Sequence, residues 1–569
     1  RALEGATFIT AYDRIRLRST VGVQPPERLD EVAAREIAVK QGLGVIVAGA
    51  ITPQRGGYNV SIKAVQAVTG NVIATGDRRA ANKDDVLAAA TRLAGTIRTA
   101  LGDETASESD QIFAMTSLSA TSLDVVRHYV TGMEAQSNNR MDDARKSFQA
   151  AIELDPKFGV AYTSLAAALR NLGRPQEAEK YVNEALRYLD GMTDREKLST
   201  RGYFYLVGGD YQNCVKEYGE LINRYVADVV GRNQRALCMT RLRDMRGAMN
   251  EMQYVVNLLP NRTIFRNNLS YYASYAGDLE LAEKEALALP PGEYASVALA
   301  MSQVGQGKRR EAAGTYDALG KMSPLGASFA ASGLADVAIV EGRFADAVRI
   351  LEQGAAADLA GKQIEFAARK FAALAYAELS RGRTAAAVAA AEKAMANSKA
   401  VKIRFLAART FVEADAIDRA RPLIDGLAGE LQAAPQAHAQ ILEGEIALKK
   451  GDSREAIKRL LAANDTLDTW IGNLVLGRAY LEGGQFVQAD SVFDRCIKRK
   501  GEALSLFVDE DPSFGYFPAV YYYQGRVREG LKNVGFTESY KAYLAFRGDS
   551  KEDPLLPDVR RRMANTGTR

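Results

Sequence analysis

Apolar and polar positions keep two different periods along this chain. Over residues 1–104 the pattern alternates between helix-like and strand-like segments. Phe8 and Ile9 read as a short strand, and Leu29–Gln41 as an amphipathic helix with Val32, Ile37 and Val39 among its apolar positions. Val45–Ile51 is an unbroken apolar run, which predicts a strand buried on both faces. Gln54-Arg55-Gly56-Gly57 then supplies a turn, Tyr58–Val68 alternates, Thr69-Gly70-Asn71 supplies a second turn, and Val72–Thr75 returns. Lys83–Leu101 predicts a helix, with Gly102 placed to end it. No glycine-rich phosphate loop follows a strand, so nucleotide binding is not indicated. Residues 105–120 are rich in Ser, Thr and acids and read as a linker.

From Thr121 the pattern is helix after helix, and it repeats. Small residues recur at Ala144, Ala178, Cys214, Ala248, Ala282, Ala312, Ala347, Ala387, Ala420, Ala456 and Ala489, about 34 residues apart. Most follow a turn glycine a few positions upstream: Gly173, Gly209, Gly277, Gly307, Gly342, Gly382, Gly451 and Gly484. The glycine permits a tight turn, and the small residue lets two helix backbones approach. About twelve helical hairpins are expected over residues 121–547, with residues 548–569 a tail or capping helix. The hairpins over 293–433 are the most alanine-rich. Repeats of this kind touch only their neighbours, which predicts a long, curved array with a broad exposed concave face. The fold class is therefore mainly α, a solenoid behind a small α/β domain.

Composition narrows the chemistry. At 569 residues with 47% hydrophobic and 25% charged, the chain is of globular composition. No apolar run is long enough to span a membrane. Lys plus Arg (74) nearly balances Asp plus Glu (70), which gives no overall electrostatic case for nucleic acid. Two histidines and three cysteines leave little for a metal centre or a disulfide framework. The chain opens on Arg1 with no initiator Met or signal peptide, so it reads as a fragment or a form trimmed upstream.

Gly132, Ala144, Phe148, Ala151 and Pro156, and again Gly477, Tyr480, Ala489, Phe493 and Cys496, resemble the tetratricopeptide repeat. A wider resemblance covers most of the chain. It runs through Ala34-Arg35-Glu36-Ile37-Ala38, Val47-Ala48-Gly49-Ala50-Ile51, Thr121-Ser122-Leu123, Gly501-Glu502-Ala503, Asp509–Phe514 and Tyr521–Arg526. This order is similar to the region that follows the kinase domain in bacterial eukaryotic-like serine/threonine kinases, where a TolB-like α/β module precedes tetratricopeptide repeats. No glycine-rich ATP loop, His-Arg-Asp loop or Asp-Phe-Gly occurs here, so no catalytic activity is expected of the chain itself.

The remaining candidate groups favour bland roles. His128 and His438 have no ligand partners at metal spacing, and Cys214, Cys238 and Cys496 fall where buried structural thiols belong, a Cys214–Cys238 disulfide between sequence-adjacent hairpins being the minor alternative. Asp509-Glu510-Asp511 lacks calcium-loop spacing and reads as a solvated loop, with Phe507, Phe514 and Phe517 packing on the last hairpin. Arg560-Arg561-Arg562 reads as a solvated helix end. Tyrosine, at 25, is the informative excess. Matched through Gly209 and Ala282, the resemblance implies groove-facing positions at Glu196, Ser199 and Tyr203, and at Ile264, Asn267, Tyr271 and Ser274. Tyr275 lies beside them. Tyrosines and amides suit peptide contact. The expected site is thus Ser199, Tyr203, Asn267, Tyr271, Ser274 and Tyr275, with no cofactor and no metal. The expected function is a non-catalytic protein-binding scaffold, the sensory or regulatory region of a bacterial signalling protein on the extracytoplasmic face of a membrane. The alternatives are the substrate-recruiting part of a kinase and a structural subunit of a larger assembly. Partners would be protein or peptide, not nucleic acid or membrane, and homo-oligomerisation is compatible with this.

Overall fold

The computed structural model describes residues 3, 6, 8, 9, 30–103, 122–137 and 140–564. The linker expected at 105–120 and the Thr121 boundary lie outside the described residues. The described chain groups into two compact units, Arg1–Met239 with Glu251–Arg262, and Thr240–Asn250 with Thr263–Arg569.

Unit 1 opens with the α/β module. Helix α1 (Glu31–Lys40) starts where the Asp30 carboxylate accepts from the Ala33 amide at 2.8 Å. Strands β1 (Val45–Gln54), β2 (Gly57–Gln66) and β3 (Val72–Ala80) form an antiparallel meander in that order. Pairing runs from Val45↔Gln66 to Gln54↔Gly57, and Tyr58↔Ala80 sets β3. β3 is longer than the alternation over Val72–Thr75 predicts, because cross-strand pairing carries it on to Ala80. Helix α2 (Asp85–Ala100) packs on β2 and β3, closing a small core of Val60, Ala80, Val86, Ala89 and Leu93. Two expectations fail here. Phe8 and Ile9 lie outside any strand. β1 is exposed along most of its length and not buried on both faces. The reason is positional: among the described residues β1 pairs on one edge only, and α2 packs on β2 and β3.

Among the described residues twelve helical hairpins follow. The first helices are Leu123–Ser137, Gly159–Asn171, Asp194–Gly208, Val229–Arg241, Thr263–Ala276, Glu293–Gly305, Pro324–Val340, Ile364–Ser380, Val401–Glu413, Ala433–Lys449, Trp470–Glu482 and Pro518–Gly530. The second helices are Met141–Leu154, Pro175–Leu186, Tyr211–Arg224, Met245–Leu258, Leu279–Leu287, Arg309–Leu319, Phe344–Ala360, Thr384–Asn397, Ile417–Ala428, Ser453–Thr466, Phe486–Lys498 and Phe536–Arg547. A last helix, Leu556–Ala564, lies in the expected tail.

The repeating residues do the packing their spacing predicts. All eleven small residues, from Ala144 to Ala489, are wholly buried. All eight turn glycines have left-handed backbone angles, φ between 69° and 84°. The same slot, five residues before the small residue, is filled by Arg243 (φ 67°) before Ala248 and by Asp415 (φ 59°) before Ala420. On the facing helix, Gly132 makes room for a second-helix aromatic: a β-carbon there would sit 2.6 Å from the Phe148 ring. Such burial of a large side chain contributes about 1.5–3 kcal/mol each.

One thiol expectation is corrected. Cys214 and Cys238 are not separate buried thiols but a disulfide in unit 1, with Cα atoms 6.3 Å apart and a sequence separation of 24. Hairpin stacking brings a second helix against the next first helix, which aligns the two positions. Cys496 is free and buried, and burial pushes its thiol pKa well up.

Candidate protein-binding surface

In unit 2 the face formed by the first helices is not open. A short helix, Lys500–Ala503, leads into an irregular segment that continues to a single 3-10 turn, Phe514–Tyr516. This segment lies against first-helix side chains from many successive hairpins. Arg241 donates to the Phe507 carbonyl at 3.2 Å and Arg243 to that of Leu506 at 3.1 Å. The Tyr275 hydroxyl donates to the Asp509 carbonyl at 2.8 Å. Asp336 accepts from the Phe514 and Gly515 amides at 3.0 and 2.9 Å. Lys402 pairs with Asp509 at 2.7 Å and also with Asp511, and Arg369 reaches Asp511 at 3.3 Å. Phe507 packs edge-on to Phe405 and His438, which are themselves stacked 4.3 Å apart.

The charges respond to this burial. Burial lowers the Lys402 pKa, but Asp509 and Asp511 more than offset it and hold the ammonium above the usual lysine value. Burial raises Asp509, yet Lys402 and Arg369 draw it down to about 2. Asp336 is pushed up to about 7 by burial despite its two amide donors. His438 is pushed down to about 3 by burial and by Arg243, so it packs as a neutral ring. Burial lowers Arg243 to about 10.

The acidic run is therefore not the solvated loop its composition predicts. Phe514 and Phe517 do pack on the last hairpin, through Phe546, but Phe507 does not. Arg561 and Arg562 pair with Asp558 at the helix end they were expected to occupy.

The expected site residues fall into two groups. Tyr271, Ser274 and Tyr275 come together in unit 2 and are buried. Tyr271 donates to the Tyr294 carbonyl at 3.0 Å and its ring meets that of Tyr275 at 6.1 Å. Gly501 approaches the Ser274 carbonyl so closely that no other residue fits there. Asn267 is half-buried, and its side-chain oxygen has no hydrogen-bond partner among the described residues. In unit 1, Tyr203 is buried beside Arg170, and the Ser199 carbonyl accepts from the Tyr218 hydroxyl at 3.4 Å. In unit 2 the exposed groove expected at Tyr271, Ser274 and Tyr275 is thus a packed interior, because the chain returns from residue 500 to fill it. Sequence reasoning missed Arg241, Arg243, Asp336, Arg369 and Lys402. The one available signal was Arg243, a long cation in a slot where eight other hairpins use glycine.

Among the described residues no group of His, Cys, Asp and Glu could hold a metal ion, and no helix is long and apolar enough to cross a membrane.

Two family-model matches agree with the hairpins. Residues 129–191 and 328–353 match tetratricopeptide-repeat family models. No curated protein matches the chain. Among solved structures, the human IFIT1 dimer with PPP-AAAA is similar at 15% identity and a TM-score of 0.36, covering 74% of this chain and 90% of that one. The Cut9–Hcn1 hetero-tetramer of the APC/C is similar at 13% identity and TM-score 0.26, covering 79% and 98%. The TPR domain of P58(IPK) is similar at 16% and 0.19, covering 54% and 100%. The chain carries tetratricopeptide repeats in a mainly helical solenoid behind a small three-stranded sheet.

Proposed function

We propose that this chain is a non-catalytic protein-binding scaffold, the regulatory repeat region of a bacterial signalling protein. The observation that carries the reading is the chemistry of the first-helix face in unit 2. Arg241, Arg243 and Tyr275 donate to main-chain carbonyls, and Asp336 accepts main-chain amides, which is how a surface recognises extended polypeptide irrespective of sequence. The near-zero charge balance supports a polypeptide partner over nucleic acid. The order of a small α/β module before the repeats supports a TolB-like module of the kind that accompanies serine/threonine kinases. The repeats would then recruit substrate for, or regulate, a catalytic domain elsewhere in the polypeptide. The Cys214–Cys238 disulfide supports an oxidising, extracytoplasmic setting, since such bonds persist there.

The test is a selection of random displayed peptides on the purified full chain, with crosslinks mapping where they bind. Enrichment of related peptides, with no ATP turnover, is the expected result. Specific ATP turnover, or no enrichment over a scrambled library, would overturn the reading.

A further inference from the structure

The segment over 504–513 looks less like a core element than like a bound ligand. It has no regular structure of its own, and its main-chain carbonyls are met by hairpin side chains. Its acidic part is only half-buried, with Asp509 and Asp511 side chains 21% and 19% exposed. The backbone is strained on both sides of the contact. Val508, a β-branched residue, is held at φ 56°, and Arg243 at φ 67° stands where the repeat otherwise prefers glycine. Left-handed angles at such residues cost about 1–3 kcal/mol and persist only where the surroundings impose them. The recognition is specific: one lysine is clamped between two carboxylates spaced i, i+2, and an aromatic two residues before the first, Phe507, is held by Phe405 and His438. Ion pairs of this kind add little net stability but discriminate strongly between occupants. The match has one flaw. Glu510, between the two paired acids and half-buried, has no ion pair among the described residues and lies near Tyr271, Tyr275 and Tyr294, where burial and Asp509 raise its pKa.

We propose that residues 504–513 are a displaceable strap across the recognition face of unit 2, standing in for an extended acidic segment of a partner protein. That segment would carry Asp-x-Asp with an aromatic two residues before the first Asp and an uncharged residue between the acids. The proposal rests on the scaffold reading above and names the partner chemistry and the regulation of that same face. A partner segment with a neutral central residue keeps both clamped carboxylates and avoids the misplaced Glu510, so it competes with the strap despite the strap's advantage of being tethered.

The experiment uses the full chain and two labelled peptides. One copies residues 503–515, and the other carries Glu510→Gln. Binding is titrated by fluorescence anisotropy against the wild type and against Asp509→Asn/Asp511→Asn, which loosens the strap without touching the face. The double variant should bind the Gln peptide at least ten-fold tighter than the wild type does, and adding Lys402→Glu should abolish binding. In parallel, hydrogen exchange on the wild type should show amides 506–511 opening well before those of Val401–Glu413 and Ile364–Ser380. Exchange of 506–511 only together with those helices overturns the proposal, whether or not the variant folds. So does an unchanged affinity between wild type and double variant. Either failure leaves the scaffold reading standing, because the peptide selection reads every face of the chain.

Discussion

Arg243 donates a hydrogen bond to the Leu506 carbonyl at 3.1 Å, across 263 residues of sequence, from a left-handed backbone position at φ 67°. Its repeat equivalent Asp415 occupies the same slot at φ 59° but, 79% exposed, pairs with Lys449 of the next hairpin at the surface. One residue spends backbone strain to reach a distant segment, and the other has little to show for it.

That contrast sets the first prediction. Asp415→Gly relieves the turn and should leave stability unchanged or raise it by up to about 1 kcal/mol. Arg243→Gly relieves the same strain but strands a buried carbonyl, and should lower stability by about 1–3 kcal/mol. Urea unfolding of both variants distinguishes them. Destabilisation by Asp415→Gly equal to that of Arg243→Gly would mean that the slot, and not the contact, sets the effect.

The disulfide gives a unit-specific expectation. Closing 24 residues contributes about 3 kcal/mol by restricting the unfolded chain. Trp470, the chain's one tryptophan, is buried in unit 2 with its indole N–H donating to the Cys496 carbonyl at 2.9 Å. Reduction, or Cys238→Ser, should therefore lower the unit 1 transition seen by circular dichroism while the tryptophan fluorescence transition stays in place. A shift of both together contradicts this.

Two buried titrating groups in unit 2 pull stability in opposite directions. Asp336 has its folded pKa raised to about 7, so its contribution is full below the unfolded value near 3.9 and is lost as pH rises through 7. His438 has its folded pKa lowered to about 3, so its contribution is full above about 6.5 and is lost as pH falls toward 3. Between pH 4 and 6.5 the two slopes oppose each other. Asp336→Asn should gain on the wild type as pH rises from 4 to 8, by a few kcal/mol at about 1.4 per pKa unit. His438→Phe should gain on the wild type as pH falls from 7 to 4. Urea midpoints at pH 4, 6 and 8 check both signs, and a variant that parallels the wild type removes that group from the account.

The tyrosine cluster yields a stability test. Tyr271 is packed against Tyr275 and bonded to the Tyr294 carbonyl, so Tyr271→Ala should cost about 3–5 kcal/mol. Tyr271→Phe keeps the ring and should cost only about 1 kcal/mol for the lost bond. An alanine variant that melts like the wild type would place this ring on an open surface.

Much of the fold was legible because its causes are local. A glycine with positive φ and a small residue five positions later act within one hairpin, so a single sequence shows the eight glycine turns from Gly173 to Gly484, though not those at Arg243 and Asp415. The 34-residue period likewise counts the hairpins, since each is complete within its own repeat. The helix boundaries of the α/β module follow from caps and periodicity in the same way.

What tertiary structure decided depends on partners far away in sequence. Val45–Ile51 is apolar whether it lies in the middle of a sheet or at its edge, and only strand order exposes it. Cys214 and Cys238 suit a small-residue slot as thiols or as a disulfide, and only hairpin stacking brings them to 6.3 Å. Asp509-Glu510-Asp511 reads as a solvated loop because acids seek water unless cations meet them. Here Lys402 and Arg369, more than 100 residues upstream, meet two of the three and turn an expected open groove into an occupied one. Composition and period carry no record of such pairings, because burial of a charge is set by where its counter-charge folds.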